Sequence, residues 1–298
     1  MVMSRPNDSA QIDSAPLAAF VMSDADCVAF LQWALPRLAL EWAGFRKVRG
    51  QVCKRLARRM RALGLVELTA YREYLKNTPA EWARLDALCR ITISRFRRDR
   101  GIYQALEHNL LPALAGWAVV RGHRKLRAWS AGCSGGEEPY SLNILWKRAV
   151  APHFPDVDLA ILATDVDADM LARARIGCYG RSSLKEMPAD WLDAFATQNA
   201  LFCVKPAFRE GIRFIQSDLR TTMVDGPFEL ILCRNLAFTY FATHLRPRIA
   251  REFAATLAVG GALIVGIHEE LPGKSHGLAP LAGVPAIYVK CDPGATRR

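Results

Sequence analysis

The fold of this 298-residue chain is decided by one stretch, Lys125-Leu-Arg-Ala-Trp-Ser-Ala-Gly-Cys-Ser-Gly-Gly-Glu-Glu138. Its first part, 125–130, is predicted to be a strand, and the small residues that follow lead into a helix. Small residues at such a turn let a ligand approach the backbone and meet the first N–H groups of the helix. We therefore assign Ala131 and Gly132 to a ligand site, although a glycine turn taken alone is more often a tight connection.

Acidic residues follow the first two predicted strands. Glu137 and Glu138 begin the helix after the first strand, where two carboxylates would repel a pyrophosphate. The second strand, Leu159–Thr164, leads to Asp165, and an acid at this place can accept hydrogen bonds from two ribose hydroxyls. A ligand with a ribose, no phosphate and a positive centre is S-adenosylmethionine (SAM). These strand ends predict SAM as cofactor and S-adenosylhomocysteine (SAH) as product.

Two further predicted strands, Ile212–Gln216 and Glu229–Cys233, also lead to polar residues. Asp218-Leu219 follows the third strand, where the acid can accept a hydrogen bond from the adenine amino group and the leucine can cover the adenine ring. Asn235-Leu236 follows the fourth strand. In open α/β sheets the carboxyl ends of the strands meet at one crevice, where ligands bind. Each polar residue alone is as typical of a turn, but the four together predict a cofactor pocket.

The chain is predicted to contain two domains. Strand-like and helical segments alternate after residue 91, which is typical of βαβ units and predicts a Rossmann-like, doubly wound α/β fold for 91–298, linker included. The segment 178–211 breaks the alternation and is predicted to be an inserted subdomain. Residues 25–90 are helical throughout and predict a small all-α domain, whereas 1–24 have no periodicity and predict a mobile tail.

Positive charge is concentrated in the predicted helical domain. The whole chain has a net charge of +11, and residues 26–100 hold 17 Lys and Arg against 7 Asp and Glu, a net charge of +10. A solvated helix surface usually mixes charges of both signs, so this one-signed surface favours an acidic partner. The candidate docking residues are Lys54, Arg55, Arg58 and Arg59 on the predicted helix 48–63. Nucleic acid and an acidic protein both remain open at this point.

The composition excludes several other classes of protein. With 51% hydrophobic and 23% charged residues the chain is neither disordered nor fibrous. No apolar run reaches the roughly 18–20 residues that span a bilayer, and no secretory signal precedes the domains. The eight cysteines are widely spaced and include no Cys-x-x-Cys pair, which predicts free thiols, no metal site and a cytoplasmic location.

Several motifs resemble those of the CheR-type chemotaxis methyltransferase family. They are Trp129-Ser-Ala-Gly-Cys-Ser-Gly-Gly-Glu-Glu-Pro-Tyr-Ser141, Ala163-Thr-Asp-Val-Asp167, Ala174-Arg-Ile-Gly-Cys-Tyr179, Cys233-Arg-Asn235 and Gly266-Ile-His-Glu269. The likeness extends from about Cys27 to Lys290. It implies an all-helical N-terminal domain, a linker, a SAM-binding α/β domain with a small β insertion, and methyl transfer from SAM to glutamate side chains of chemoreceptors.

The resemblance also implies roles for residues at matching positions. Thr92, Ser94 and Arg98 match a linker that folds over the cofactor. The implied cofactor-binding residues at the strand ends are those named above: Ala131, Gly132, Glu137, Glu138, Asp165, Asp218, Leu219, Asn235 and Leu236. Arg98 and Tyr240 are the implied catalytic residues: Arg98 would orient an acidic group and Tyr240 would position the nucleophile. Which of Glu137 and Glu138 points inward is open.

The chain departs from the family pattern at three places. Arg97 stands where the family has a second phenylalanine, which predicts a more cationic linker. The segment Cys233–Phe241 has one more residue before its tyrosine, which puts the placement of Tyr240 in doubt. The insertion lacks an obvious glycine-rich hairpin, so docking of a receptor peptide there is not supported.

Three functions are compatible with these observations. The leading one is methylation of glutamate carboxylates on an acidic, helical, chemoreceptor-like protein by a monomeric enzyme. The second is a protein of the same fold that methylates RNA or another acidic substrate. An argument against it is that the basic region has no interleaved aromatic residues for base stacking. The third is a non-catalytic SAM-binding regulatory protein.

Overall fold

The computed structural model describes residues 22–273 and 276–292. Most of the predicted mobile tail, 1–24, lies outside the described residues. Its last part is already ordered structure, because the first helix begins at Asp24 and the Ser23 hydroxyl accepts a hydrogen bond from the Asp26 N–H at 3.1 Å. A serine at this position satisfies one of the free N–H groups at the start of a helix.

Among the described residues, five α-helices and the short 3-10 helix Leu35–Leu38 form the N-terminal module. The α-helices are α1 (Asp24–Ala34), α2 (Trp42–Phe45), α3 (Arg49–Ala62), α4 (Leu68–Asn77) and α5 (Pro79–Cys89). On α3 the side chains of Val52, Leu56 and Met60 are buried at four-residue spacing, as the sequence pattern predicts. A proline occupies the first position of α5, where its missing N–H costs nothing.

The linker leads into the α/β part of the chain. Its helices are α6 (Arg100–Ala105), α7 (Leu111–Val120), α8 (Glu137–Leu145), α9 (Ala168–Ile176), α10 (Ala237–Tyr240) and α11 (Arg246–Thr256). Its strands are β1 (Lys125–Ala131), β2 (Asp158–Asp165), β3 (Cys178–Tyr179), β4 (Phe195–Gln198), β5 (Leu201–Val204), β6 (Ile212–Gln216), β7 (Phe228–Cys233), β8 (Leu257–Val265), β9 (Leu278–Leu281) and β10 (Val284–Lys290).

Seven strands form one mixed sheet in the order β6-β2-β1-β7-β8-β10-β9. The first five are parallel, and β10 is antiparallel to both of its neighbours. The doubly wound α/β fold is therefore confirmed, with an antiparallel edge that includes β9, a strand the sequence did not predict. The four strands with predicted polar ends, β6, β2, β1 and β7, are adjacent, so their carboxyl ends lie side by side.

The insertion is a small antiparallel sheet in the order β3-β5-β4. Asn199 and Ala200 connect β4 to β5 with φ angles of 48° and 62°, which makes this a tight hairpin without glycine. Asparagine tolerates positive φ better than most residues. A hairpin is thus present, and its turn differs from the glycine-rich one expected of the family.

The prediction that all cysteines are free thiols is wrong for four of them. Cys27 and Cys53 are joined by a disulfide, and so are Cys178 and Cys203. The members of each pair are 26 and 25 residues apart in sequence. The packing of α1 on α3 brings Cys27 and Cys53 together. Cys178 and Cys203 meet because they are register partners in the small antiparallel sheet. The other four cysteines, Cys89, Cys133, Cys233 and Cys291, are free.

The helical module is joined to the α/β domain by backbone contacts. The Glu41 N–H donates to the Tyr240 carbonyl at 2.8 Å, and the Ala242 N–H donates to the Ala39 carbonyl at 2.9 Å. Gly44 allows this approach, because a Cβ there would lie 2.3 Å from the Thr239 carbonyl oxygen. The module therefore lies against the segment that follows β7.

No helix in the described part of the chain is long and apolar enough to cross a membrane. Within the same residues, no group of three or more His, Cys, Asp or Glu side chains is arranged to hold a metal ion.

Candidate active site

A cleft lies at the carboxyl ends of β6, β2, β1 and β7. The linker and the helical module cover it, and the module contributes Leu40, Phe45 and Asp86 to its wall. Eleven residues expected at the site from the sequence line this cleft: Thr92, Ser94, Arg98, Gly132, Glu138, Asp165, Asp218, Leu219, Asn235, Leu236 and Tyr240. Two do not: Ala131 is buried in β1, and Glu137 points away.

The turn after β1 requires glycine. Gly132 has a φ of +82°, and a Cβ on it would lie 2.3 Å from a methyl group of Leu236. Leu236 belongs to the turn after β7, so the two strand ends touch at this point. Glycine here keeps one wall of the cleft open to a ligand.

The structure separates the two glutamates at the start of α8. Glu138 lines the cleft, where it accepts hydrogen bonds from Ser130 Oγ at 2.7 Å and Arg234 Nη1 at 3.2 Å. Glu137 is only 2% exposed and accepts from Arg173 Nη2 at 3.1 Å on the side of α9. Burial raises the pKa of Glu137. The choice that the sequence left open between the two glutamates therefore falls on Glu138 as the one that lines the cleft, since successive residues on a helix face different directions.

Asp165 stands at the end of β2 with its carboxylate held by the backbone. Its Oδ2 accepts from the Ser134 N–H at 2.8 Å, and its Oδ1 accepts from the Asp167 N–H at 2.9 Å. Burial raises the pKa of Asp165, and the two backbone hydrogen bonds oppose that shift. The carboxylate is thus fixed in one orientation at the cleft.

The linker is anchored on the inserted subdomain. The Phe96 ring packs edge-on against Tyr179 and Phe195, with ring centroids 4.9 Å and 5.1 Å away. The backbone N–H of Phe96 donates to the Ser183 carbonyl at 2.9 Å. This anchor holds Thr92, Ser94 and Arg98 along the cleft. The insertion therefore supports the linker.

Arg97 does not give the linker the more cationic surface that the sequence predicts. Its side chain is 5% exposed, pairs with Glu107 at 3.2 Å and lies 4.2 Å from the centroid of the Trp191 ring. A guanidinium can stack on aromatic rings while a carboxylate neutralises it, so it can replace an apolar ring in such a place.

Arg98 differs from the other arginines at the cleft. Within the described residues the only hydrogen bond of its side chain goes from Nη1 to the Ile93 carbonyl at 3.3 Å, and the side chain has no carboxylate partner there. The others are each paired: Arg90 with Asp167 (3.4 Å), Arg95 with Glu186 (3.4 Å), Arg220 with Asp86 and Asp218 (2.5 and 2.8 Å), and Arg234 with Asp99 and Glu138 (2.7 and 3.2 Å). Arg98 is thus the cleft arginine available to an external anion.

Tyr240 reaches the cleft from the single-turn helix α10. The Tyr240 ring packs edge-on against Phe45 at 5.1 Å, and Thr239 turns the other way to donate to Glu269 Oε1 at 2.6 Å. Tyr240 thus lines the cleft with the additional residue of Cys233–Phe241 in place. Burial raises the pKa of Tyr240, so its hydroxyl stays protonated at neutral pH and can donate a hydrogen bond.

The four predicted docking cations fall into two pairs. Lys54 and Arg58 are exposed. Arg59 donates two hydrogen bonds to Glu81, at 2.9 Å and 2.7 Å, and Arg55 donates to the Leu88 and Arg90 carbonyls. Because Arg55 and Arg59 are already used within the module, Lys54 and Arg58 are the better candidates for an external partner.

Several residues of the site escaped the sequence reasoning. Glu269 Oε2 accepts from the Asn235 and Gly266 N–H groups, both at 2.7 Å, and so supports the turn after β7. Arg234 directly follows β7, and this position at a strand end was the sequence signal that could have assigned it to the site. Asp86 and Arg220 are 134 residues apart, and no local pattern connects them.

Fold and site together define a class of protein. Five parallel strands carry a glycine turn after β1 and acidic side chains at neighbouring strand ends. The cleft suits SAM, because Gly132 adds no side chain to the turn after β1 and because Glu138 and Asp165 present carboxylates to a cationic nucleoside. The class is the SAM-dependent methyltransferases.

Comparison with known proteins identifies the family. Residues 92–284 match the SAM-binding domain of CheR methyltransferases, and residues 47–86 match their all-α domain. A chemotaxis protein methyltransferase of Listeria monocytogenes is 35% identical over 223 residues, or 73% of this chain and 81% of that one. One of Salmonella typhimurium is 32% identical over 260 residues, or 78% and 85%. The chain belongs to the CheR methyltransferase family, and the expected enzyme class, SAM-dependent protein-glutamate methyltransferases, is confirmed at the level of the family.

Proposed function

We propose that this enzyme methylates glutamate side chains of an acidic, helical, chemoreceptor-like protein in the cytoplasm, and that it acts as a monomer. The observation that carries the proposal is the position of Arg98, the cleft arginine without a carboxylate partner among the described residues, at the same cleft as Tyr240. A carboxylate that enters the cleft would find one unneutralised cation and one neutral hydroxyl donor.

The cofactor residues are assigned by the chemistry of the strand ends. Asp165 would bind the ribose hydroxyls, Asp218 the adenine amino group, and Leu219 the face of the ring. Glu138 and Asn235 would face the cationic part of the cofactor, with Gly132 and Leu236 beside it. Thr92 and Ser94 of the linker would close the pocket from above. The shared lining of one cleft supports this arrangement.

The proposed reaction needs little acid–base chemistry. A glutamate side chain has a pKa of about 4.3 and is ionised at neutral pH, so no general base has to activate it. Bound SAM supplies a methyl group on a sulfonium, which is electrophilic. The enzyme's part is to hold one carboxylate oxygen in line and to exclude water, and such positioning can lower a barrier by several kcal/mol, up to about 7–11.

Arg98 and Tyr240 would share that positioning. Arg98 would orient an acidic group, either the acceptor carboxylate or the carboxylate of the cofactor. Full neutralisation of the acceptor would lower its nucleophilicity, so a single long hydrogen-bond donor suits the task better than a bidentate pair. Tyr240 would donate a hydrogen bond to the second carboxylate oxygen and leave the first free to attack.

The surface of the helical module supports an acidic acceptor. Lys54 and Arg58 are exposed on α3, and the exposed Arg46, Lys47 and Arg61 extend the same charge. No acidic residue occurs from Ala43 to Val66. A one-signed surface of this kind attracts an acidic partner over several ångströms and loses its effect at high salt.

The test is transfer of label from methyl-tritiated SAM to proteins in a bacterial lysate. We expect counts on acidic receptor proteins that mild alkali releases as methanol, since carboxyl esters are base-labile, and we expect Arg98→Ala to abolish them. Base-stable counts on RNA would identify a nucleic-acid methyltransferase. SAM binding without transfer of label to any fraction would identify a regulatory protein, and either result would overturn the proposal.

A further inference from the structure

Arg220 joins two carboxylates that come from different domains. It follows β6, and its side chain is 15% exposed. It donates to both carboxylate oxygens of Asp86 on α5, from Nη1 at 2.5 Å and from Nη2 at 3.1 Å. It also donates to Asp218, from Nε at 3.0 Å and from Nη2 at 2.8 Å, and to the Leu38 carbonyl at 3.0 Å. The guanidinium is therefore fixed between the helical module and the third strand end.

Asp86 also reaches the second strand end. Arg90 lies 3.5 Å from Asp86 and 3.4 Å from Asp167. The Asp167 N–H donates to Asp165 Oδ1 at 2.9 Å. One carboxylate of the helical module is thus connected, through two arginines, to both acids that we assign to the nucleoside.

Arg220 limits the hydrogen bonds that Asp218 can accept from a ligand. A carboxylate offers about four lone-pair positions. Three N–H groups of Arg220 occupy Asp218: the backbone N–H at 2.9 Å, Nη2 at 2.8 Å, and Nε, which is shared between the two carboxylate oxygens at 3.0 Å and 3.1 Å. About one position remains, which suits the single N–H that the 6-amino group of adenine directs to one acceptor. A 6-oxo purine presents an acceptor there and would face a carboxylate it cannot bond.

The charge state of Asp218 agrees with this role. Burial would raise the pKa of Asp218, but its hydrogen bonds with Arg220 hold that pKa below its usual range. Asp218 is therefore an ionised acceptor and not a donor at neutral pH. Without Arg220 the buried acid would protonate more readily and could then accept either purine.

We propose that Asp86 of the helical module is a positioning residue for the nucleoside of the cofactor, acting on Asp218 through Arg220 and on the Asp165 turn through Arg90. The inference rests on the proposed nucleoside roles of Asp218 and Asp165. It gives the helical module a part in cofactor binding and purine selectivity, in addition to its proposed part in docking the acceptor.

The test is calorimetric binding of SAH and of its 6-oxo analogue, S-inosylhomocysteine, to the full chain. We expect Asp86→Asn, which keeps the shape of the side chain but removes its charge, to weaken SAH binding about tenfold, a coupling of about 1.4 kcal/mol. The preference for SAH over the analogue should fall as well, which a purely structural role of Asp86 would not produce. Asp86→Glu should recover part of both quantities.

Control variants make the result specific. Glu73→Gln is the matched control, because Glu73 is an exposed acid of the same module whose described ion pair is with Lys76 only. It should leave both affinities unchanged. Arg220→Lys keeps the buried charge but has one side-chain nitrogen in place of three, so it cannot keep the paired contacts to both Asp86 and Asp218 and should reproduce the loss of preference. This second variant also serves if Asp86→Asn lowers the unfolding temperature too far for calorimetry.

The outcomes separate this inference from the assignment beneath it. If Asp218→Asn weakens SAH binding and Asp86→Asn in that background adds clearly less than it does in the wild type, the two residues act in one chain of contacts, as proposed, and the remaining effect is the part carried by Arg90. If Asp218→Asn weakens binding but Asp86→Asn and Arg220→Lys both stay within twofold of wild type, the role of Asp86 is wrong and the nucleoside site stands. If Asp218→Asn and Asp165→Ala both leave SAH affinity unchanged, the nucleoside assignment fails, and the role of Asp86 fails with it.

Discussion

Glu269 supports the turn that carries the proposed catalytic tyrosine, and its removal is a demanding test of the site. The side chain is 6% exposed. It accepts three hydrogen bonds, from the backbone N–H groups of Asn235 and Gly266 and from the Thr239 hydroxyl. Glu269→Ala removes all three acceptor contacts at once and leaves a small cavity.

The size of the effect follows from those contacts. A buried donor left without an acceptor costs about 1–3 kcal/mol, so two N–H groups and a hydroxyl predict a loss of at least about 3 kcal/mol of stability. Glu269→Gln should be far milder, at about 1 kcal/mol, because its amide oxygen can still accept from both N–H groups and its NH₂ can donate to the Thr239 hydroxyl. Glu269→Gln thus removes the charge alone, whereas Glu269→Ala removes the hydrogen bonds and the volume of the side chain together.

The assay combines thermal unfolding without ligand with steady-state kinetics. Glu269→Ala should lower both the unfolding temperature and kcat, since the turn that positions Tyr240 loses its support, and Glu269→Gln should recover most of each. A Glu269→Ala variant within about 1 kcal/mol of wild type, or a Gln variant as impaired as the Ala variant, would refute this account of the turn.

Three further predictions concern the cleft and the basic surface. Asp165→Ala should weaken SAH binding at least tenfold by calorimetry, about 1.4 kcal/mol, and unchanged affinity would remove the ribose role. Arg98→Ala should lower kcat by about 10²-fold or more, as expected when a positioning group is lost, and SAH affinity should fall with it only if Arg98 orients the carboxylate of the cofactor; a change confined to cofactor affinity would contradict this. Neutralisation of Lys54 and Arg58 together should raise the KM for the acceptor and spare cofactor affinity, with a smaller effect at high salt, and an unchanged KM would exclude docking by these two residues.

Much of the fold was predictable from local patterns. Strand Ile212–Gln216 is found with the predicted bounds, and helix Ala168–Ile176 is one of the helices that alternate with the strands after residue 91. Their ends are marked locally: the Asp167 side chain caps the helix start, and Gly177 ends it with a φ of +70°. The convergence of four strand ends was predictable too, because it follows from the topology of a parallel sheet and needs no knowledge of side-chain contacts.

The rest depends on contacts between distant parts of the chain. Sequence spacing did not reveal the pairs Cys27–Cys53 and Cys178–Cys203, because a widely spaced cysteine looks the same free or paired. Arg97 looked like an exposed cation, and its burial depends on Glu107 and Trp191, which lie on other elements. The burial of a polar residue is decided by its partners, and partners far away in sequence leave no local signal.

The two glutamates at the start of α8 show the same limit at finer scale. A helix start places both near the cleft, and a rotation of about 100° between successive residues decides which one lines it. The orientation of α8 about its own axis is set by its packing against α9 and the inserted subdomain. On that side Arg173 pairs with Glu137. The motif therefore predicted that one of the two glutamates lines the cleft, but not which one.

The central claim is that a glutamate carboxylate receives the methyl group at the cleft of Arg98 and Tyr240. Tandem mass spectrometry of an acidic receptor fragment after reaction with the enzyme and SAM tests it most directly. The account predicts an added methyl group on glutamate side chains, lost on mild alkali and absent with the Arg98→Ala enzyme. A methyl group on lysine, histidine or a nucleic acid, or undiminished glutamate methylation by the Arg98→Ala enzyme, would contradict it.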